Sequence, residues 1–92
     1  MRLMSDYGAG SPIWVSDGVV SPSMLGVSED LAARLYAWQD YFEQHFHFES
    51  GWLSPRDADV YMREGEELRR LLSAEIGSSY RVDLDLWPVT EG

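Results

Sequence analysis

The stretch YRVDLDLW, residues 80–87, decides the fold that this sequence predicts. Apolar positions alternate along it with charged or aromatic ones: Tyr80, Val82, Leu84 and Leu86 fall on one side of an extended chain, and Arg81, Asp83, Asp85 and Trp87 fall on the other. A period of two is typical of a half-buried strand. The apolar side of this strand must face a core, which the rest of the chain has to supply.

Two amphipathic helices upstream supply that core. The first is predicted over residues 28–46, where the Ser28 hydroxyl can cap the free amides of the first turn. Its inward stripe has apolar residues at spacings of four, three and four, namely Leu31, Leu35, Trp38 and Phe42. The second helix is predicted over residues 54–76, with Ser54 as its cap and Gly77 as its left-handed stop.

One residue on the inward stripe of the second helix is a glycine, Gly65. The stripe otherwise consists of Ala58, Tyr61, Leu68, Leu72 and Ile76. Glycine inside a helix costs about 1 kcal/mol relative to alanine. Another backbone or a tryptophan ring should therefore approach the helix closely at Gly65.

The N-terminal part of the chain is less regular. Residues 2–7 predict a short strand, and residues 13–15 (IWV) are expected to be extended before a turn at 16–18. Residues 19–27 are predicted as a loop, and a short turn should join the second helix to the last strand. The order is strand, irregular loop, helix, helix, strand, which predicts a single α+β domain over residues 1–92 with two helices packed on a small sheet.

The composition restricts the classes of partner. Sixteen acidic and seven basic residues give a formal charge of −9, and 45% of the residues are apolar. A field of this sign repels nucleic acids and anionic lipids, and it attracts basic surfaces. The sequence has no cysteine, no apolar run of membrane length and no secretion signal at its N-terminus. We therefore expect a cytoplasmic protein that binds neither nucleic acid nor membrane.

Two pairs of side chains are candidates for metal binding or catalysis. His45 and His47 are candidate metal ligands, and the alternative is aromatic packing with imidazoles in solvent. Asp83 and Asp85 should lie about 6.8 Å apart along one side of the strand, a separation found in glycosidases and cation sites. Their neighbours on that side are a cation and an aromatic ring, which favours a surface patch. We predict no catalytic residue, no metal and no cofactor, and hence no enzyme.

The carboxylates and tryptophans predict a protein-binding surface instead. Aromatic side chains beside charged ones are typical of binding hot spots. The predicted contact residues are Asp83, Asp85, Trp87, Trp14 and Asp17. For the two tryptophans, the alternative is that their rings cover a small core.

The chain also resembles a group of short acidic proteins that is common in actinobacterial genomes. The segments that carry the resemblance are RLMSDY, PIW, VSP, LGVSEDLAARLYAWQDYFE, EGEELRRLLSAEIG and YRVDL. They cover most of the chain and are structural in kind. The resemblance implies a cytoplasmic bacterial protein, and it assigns no catalytic role to any residue.

We favour the hypothesis of a small acidic protein-binding module. It would be an immunity protein, an antitoxin or another inhibitor that neutralises a basic protein partner such as a nuclease toxin. The alternative is a structural or accessory protein that forms a homodimer through an exposed edge strand or docks on a larger assembly.

Overall fold

A computed structural model describes residues 1–77 and 80–90 of the chain. Two long helices and a small mixed sheet confirm the predicted α+β class. The elements in chain order are β1 (Arg2–Leu3), β2 (Ile13–Val15), β3 (Gly18–Val20), a 3-10 helix (Pro22–Leu25), α1 (Glu29–His45), β4 (Phe46–His47), β5 (Gly51–Trp52), α2 (Pro55–Ile76), β6 (Asp83–Leu84) and α3 (Trp87–Thr90). The short turn expected after the second helix includes residues 78 and 79, which lie outside the described residues.

Both predicted helices are confirmed, with the predicted caps. The Ser28 hydroxyl accepts a hydrogen bond from the Leu31 amide at 3.2 Å, and the Ser54 hydroxyl accepts one from Asp57 at 3.3 Å. Gly77 has the expected positive φ of 86°, but its ψ of 172° differs from that of a left-handed helical stop.

The main sheet has the strand order β3-β2-β1-β6. β2 is antiparallel to both β1 and β3, whereas β1 and β6 run parallel. The first and last strands of the chain are thus neighbours. β1 lies inside the sheet, with a hydrogen-bonded strand on each side.

The strands are shorter than the sequence predicts. The expected strand over residues 2–7 is limited to Arg2–Leu3, and the expected strand over residues 80–87 is limited to Asp83–Leu84. β6 pairs with β1, which is itself only two residues long, so the parallel ladder contains two residue pairs. Beyond it, the Asp85 carboxylate accepts a hydrogen bond from the Trp87 amide at 3.0 Å and turns the chain into α3.

Two segments outside the predicted strands and helix interiors have regular structure. The predicted loop 19–27 contains most of β3 and the 3-10 helix, because Gly18 closes a two-residue turn opposite Val15. Gly18 has a φ of 127°, which suits glycine far better than other residues. The segment HFHFESGW forms a small hairpin in which β4 pairs with β5.

The core lies between the sheet and the two long helices. Leu3 and Ile13 face it from the sheet and are fully buried, and the predicted stripe of α1 is buried throughout. Gly65 lies against the Trp38 ring: a Cβ atom at this position would stand 2.9 Å from Trp38 Cζ2. The close approach predicted at this glycine is therefore confirmed, and the ring is the group that approaches.

Candidate functional site

The strand register separates the two faces of the main sheet. One cross-strand row consists of Val20, Ile13, Leu3 and Leu84, and the neighbouring row consists of Val19, Trp14, Arg2 and Asp83. The first row faces the helices. The second row points to the other side, where Val19 is 43% exposed and Arg2 and Asp83 are exposed. We call the second row the open sheet face.

A shallow depression lies on the open sheet face beside Trp14. Its walls are apolar where Met1, Met4 and Val15 contribute, and Arg2 and Asp83 add one charge of each sign. The Trp14 indole nitrogen donates a hydrogen bond to the Met4 carbonyl oxygen at 2.9 Å, which fixes the ring while leaving it half-buried. Trp14 thus supports the sheet and also presents surface to solvent.

The two strand carboxylates are held by arginines of the same chain. Arg81 Nε donates to Asp83 Oδ1 at 2.8 Å, and Arg2 Nη1 lies 3.7 Å from Asp85 Oδ2. The side of the strand that carries Asp83 and Asp85 is therefore close to charge balance. Each carboxylate also has its own arginine partner. A catalytic acid and base would instead face one shared substrate.

Trp87 does not lie on the outer side of the strand, and that part of the prediction is wrong. The period of two ends at Asp85 because α3 begins at Trp87. The Trp87 ring packs against Tyr7, Phe42 and Phe46 at centroid distances of 5.6–5.8 Å. Its indole nitrogen donates to the Ser5 carbonyl oxygen at 2.7 Å, so this side chain ties the end of the chain to the core.

The remaining predicted residues lie at the two ends of the sheet. Asp17 is exposed in the two-residue turn between β2 and β3. Since β2 is antiparallel to β1, this turn lies at the end of the sheet where β1 begins, whereas Asp85 lies at the end where β1 finishes. The structure therefore brings Trp14 and Asp83 into one row and places Asp17 and Asp85 on opposite sides of it.

The two histidines have separate environments. The His45 ring stacks on Tyr41 at 4.0 Å, and its Nδ1 atom lies 2.9 Å from the Tyr41 carbonyl oxygen. His47 is exposed on β4. Among residues 1–77 and 80–90, no group of three or more His, Cys, Asp or Glu side chains could hold a metal ion. The stacked His45 ring and the exposed His47 ring correspond to the packing alternative.

Sequence reasoning missed one exposed aromatic residue, Tyr7. The predicted strand over residues 2–7 includes Tyr7, but the chain turns at residues 7–8, where Gly8 has a φ of 68°. The Tyr7 ring joins the aromatic cluster around Trp87 and is still 50% exposed. The signal for this turn is Asp6 followed by Gly8, since aspartate and glycine are frequent turn residues.

The fold is that of a small α+β protein, and comparison with known families places the chain in the immunity-protein class. The family model described as Serratia CdiI immunity protein-like matches residues 1–84, and the chain belongs to this family. The match includes all six strands, both long helices and Asp83, and it ends before Asp85 and α3. A search of curated proteins found no match.

The helices also bear on membrane association. Within the part of the chain that the structure describes, neither long helix has an apolar stretch that would span a bilayer.

Proposed function

We propose that this protein is the immunity protein of a contact-dependent inhibition toxin, which it binds and neutralises in the cytoplasm. The observation that carries the proposal is the family match over residues 1–84. The proposed action is binding alone, without catalysis, metal or cofactor. The net charge of −9 supports a basic toxin surface as the partner, because opposite charge accelerates encounter and stabilises the complex.

The proposed contact surface is the open sheet face together with the carboxylates at its ends. Trp14 and the depression beside it would receive an apolar side chain of the toxin, and Asp83, Asp85 and Asp17 would pair with its cations. Cations of the toxin would have to compete with Arg81 and Arg2 for two of these carboxylates. Trp87 would act indirectly, by fixing the end of the sheet.

The test requires the cognate toxin domain, which is to be sought among the genes that flank the gene for this protein. The wild-type protein should rescue growth when the two are co-expressed, and it should bind the purified toxin domain with an affinity that falls as salt increases. Failure of both rescue and binding would overturn the proposal. Binding that is indifferent to salt would leave immunity in place but contradict the electrostatic mechanism.

The contact surface is tested by the double variant Asp83→Lys with Asp85→Lys. The two native ion pairs are exposed or half-exposed and worth at most about 1 kcal/mol each, and the lost hydrogen bond from the Trp87 amide to Asp85 costs about 1 kcal/mol more, so the variant should still fold. It reverses four units of charge and should weaken binding at least tenfold. The control is Asp59→Lys with Glu66→Lys on α2, which makes the same change in net charge away from the sheet. Equal losses in the two double variants would contradict this choice of surface.

A second candidate function is supported by the edge of the sheet. β3 is an edge strand. Its own Val19 is exposed, and so is Val15 of the neighbouring strand β2. Unpaired edges can pair with a second copy of a chain, as in a homodimeric structural or accessory protein. Sedimentation at several concentrations tests this alternative, because a β3-mediated dimer should persist in high salt and disappear in Val19→Pro.

A further inference from the structure

Tyr7 has two environments on one ring. One side packs against Phe42, Phe46 and Trp87, at centroid distances of 5.2, 6.4 and 5.8 Å. The other side is in solvent, and half of the side chain is exposed. A ring supported by other rings from below presents a flat and rigid surface to a partner.

The backbone on both sides of Tyr7 is clamped to α1. The buried Gln39 donates to the Asp6 carbonyl oxygen at 2.7 Å, and Glu43 Oε1 accepts a hydrogen bond from the Gly8 amide at 2.7 Å. The Asp6 carboxylate also accepts a hydrogen bond from the Tyr7 amide at 2.8 Å. Because these contacts fix the ring before binding, little conformational entropy remains to be lost when a partner docks.

The charges around Tyr7 are negative. Asp6 and Glu43 flank the turn, and the sequence contains no lysine or arginine in residues 3–33 or 35–55. Burial, and then the charge of Asp6, raises the pKa of the Tyr7 hydroxyl above its ordinary value. These carboxylates differ from Asp83 and Asp85, whose charges are offset by arginines nearby.

We propose that Tyr7 is the aromatic anchor of the toxin interface, where it receives an arginine or lysine side chain of the toxin between Asp6 and Glu43. A cation above an aromatic face is attracted by the ring, and rigid aromatic residues near carboxylates are typical hot spots. The inference rests on the proposed immunity function.

The anchor lies at the same end of the sheet as Asp85. β1 and β6 run parallel, so the segments that contain Tyr7 and Asp85 leave the sheet at the same end. Trp87 joins them, since its amide binds the Asp85 carboxylate and its ring contacts Tyr7. A toxin that covers Asp85 would therefore reach Tyr7 by extending around this end of the sheet towards α1.

The first test compares two exposed tyrosines in binding to the same toxin domain. Tyr7→Ala should raise the dissociation constant tenfold or more, and Tyr7→Phe should leave it within about twofold because the ring face is kept. The matched control is Tyr36→Ala on α1, a tyrosine of similar exposure at 40%, which should bind as the wild type does. Thermal melts establish that each variant is folded.

The second test removes charge and keeps one acceptor oxygen for each of the backbone amides of Tyr7 and Gly8, in case Tyr7→Ala fails to fold. Asp6→Asn with Glu43→Gln should weaken binding about fivefold or more at low salt, and less at high salt. Glu29→Gln with Glu66→Gln removes the same charge elsewhere and should have a smaller effect. A wild-type protein that does not bind the toxin would overturn the proposed function itself. Wild-type binding that the Tyr7 and Asp6–Glu43 variants affect no more than their controls would overturn the anchor alone.

Discussion

The substitution Gly65→Leu tests the packing of α2 directly. A Cβ atom at this position would lie 2.9 Å from Trp38 Cζ2 and 3.3 Å from both Trp38 Cε2 and Leu86 Cδ2. The Trp38 ring cannot easily retreat, because its nitrogen donates to the Tyr61 carbonyl oxygen at 2.9 Å and its face stacks on the Tyr61 ring. Overpacking of this kind costs about 1–3 kcal/mol, and leucine adds three further carbon atoms beyond the Cβ.

Leucine also recovers part of that cost, since it forms helices better than glycine by roughly 0.8 kcal/mol. The net loss is then about 0.2–2.2 kcal/mol, and we expect the upper half of that range because the Trp38 ring is held by both its hydrogen bond and its stacking on Tyr61. Each kcal/mol lowers the melting temperature of a chain of this size by roughly 4–8 °C. Circular dichroism melts measure this loss, with Ala74→Leu on the exposed side of α2 as the control, expected within about 0.5 kcal/mol of wild type. If Gly65→Leu melted at the wild-type temperature, the close approach of the Trp38 ring would be refuted.

Two further perturbations test other parts of the fold. Ser28→Ala should cost about 1 kcal/mol, because it removes the cap of α1 and the hydroxyl bond to Glu75; the control in a urea titration is Ser23→Ala, which lies in the 3-10 helix. Burial raises the pKa of Tyr61 far above its ordinary value of 10.0, so the folded state holds this proton more tightly than the unfolded state does. Stability from this difference is complete below about pH 10 and is lost as the pH rises further, so melting temperatures should fall less steeply above pH 10 for Tyr61→Phe than for wild type.

The helices could be predicted from sequence because their determinants are local. Ser28, Ser54 and the four-three-four spacing on α1 act within one or two turns, and each has the predicted effect. The contact of Gly65 with a tryptophan ring could also be predicted, because glycine at a core position of a helix requires a compensating neighbour.

The sheet could not be predicted to the same accuracy, because its strand lengths depend on partners far away in the chain. The alternation over residues 80–87 identifies an extended segment, but the length of β6 is set by β1, which ends at Leu3. The same limit explains the error at Trp87. Only the folded structure places the Asp85 carboxylate where it binds the next turn and directs the ring towards Phe42.

Only part of the candidate site could be predicted, again because it depends on contacts between distant parts of the chain. Trp14 and Asp83 are 69 positions apart in sequence, and no local pattern indicates that they share a row. The arginines that offset Asp83 and Asp85 were visible in the sequence, but their pairing depends on side-chain positions. Tyr7 was missed because an alternating segment was extended through a turn that Asp6 and Gly8 mark.

The parallel pairing of β1 with β6 determines when during synthesis this protein can start to work. At a ribosomal rate of roughly 5–20 residues per second, about 4–16 s separate the appearance of Arg2 from that of Asp83. Until then β1 has an unpaired edge, and the row that contains Asp83 does not exist. A nascent chain, or a fragment cut before residue 83, would thus present an open edge to chaperones and proteases instead of the proposed contact surface. A cell that depended on this protein for protection would need a reserve of finished chains before the toxin arrived, because synthesis on demand starts with an interval in which no molecule can bind.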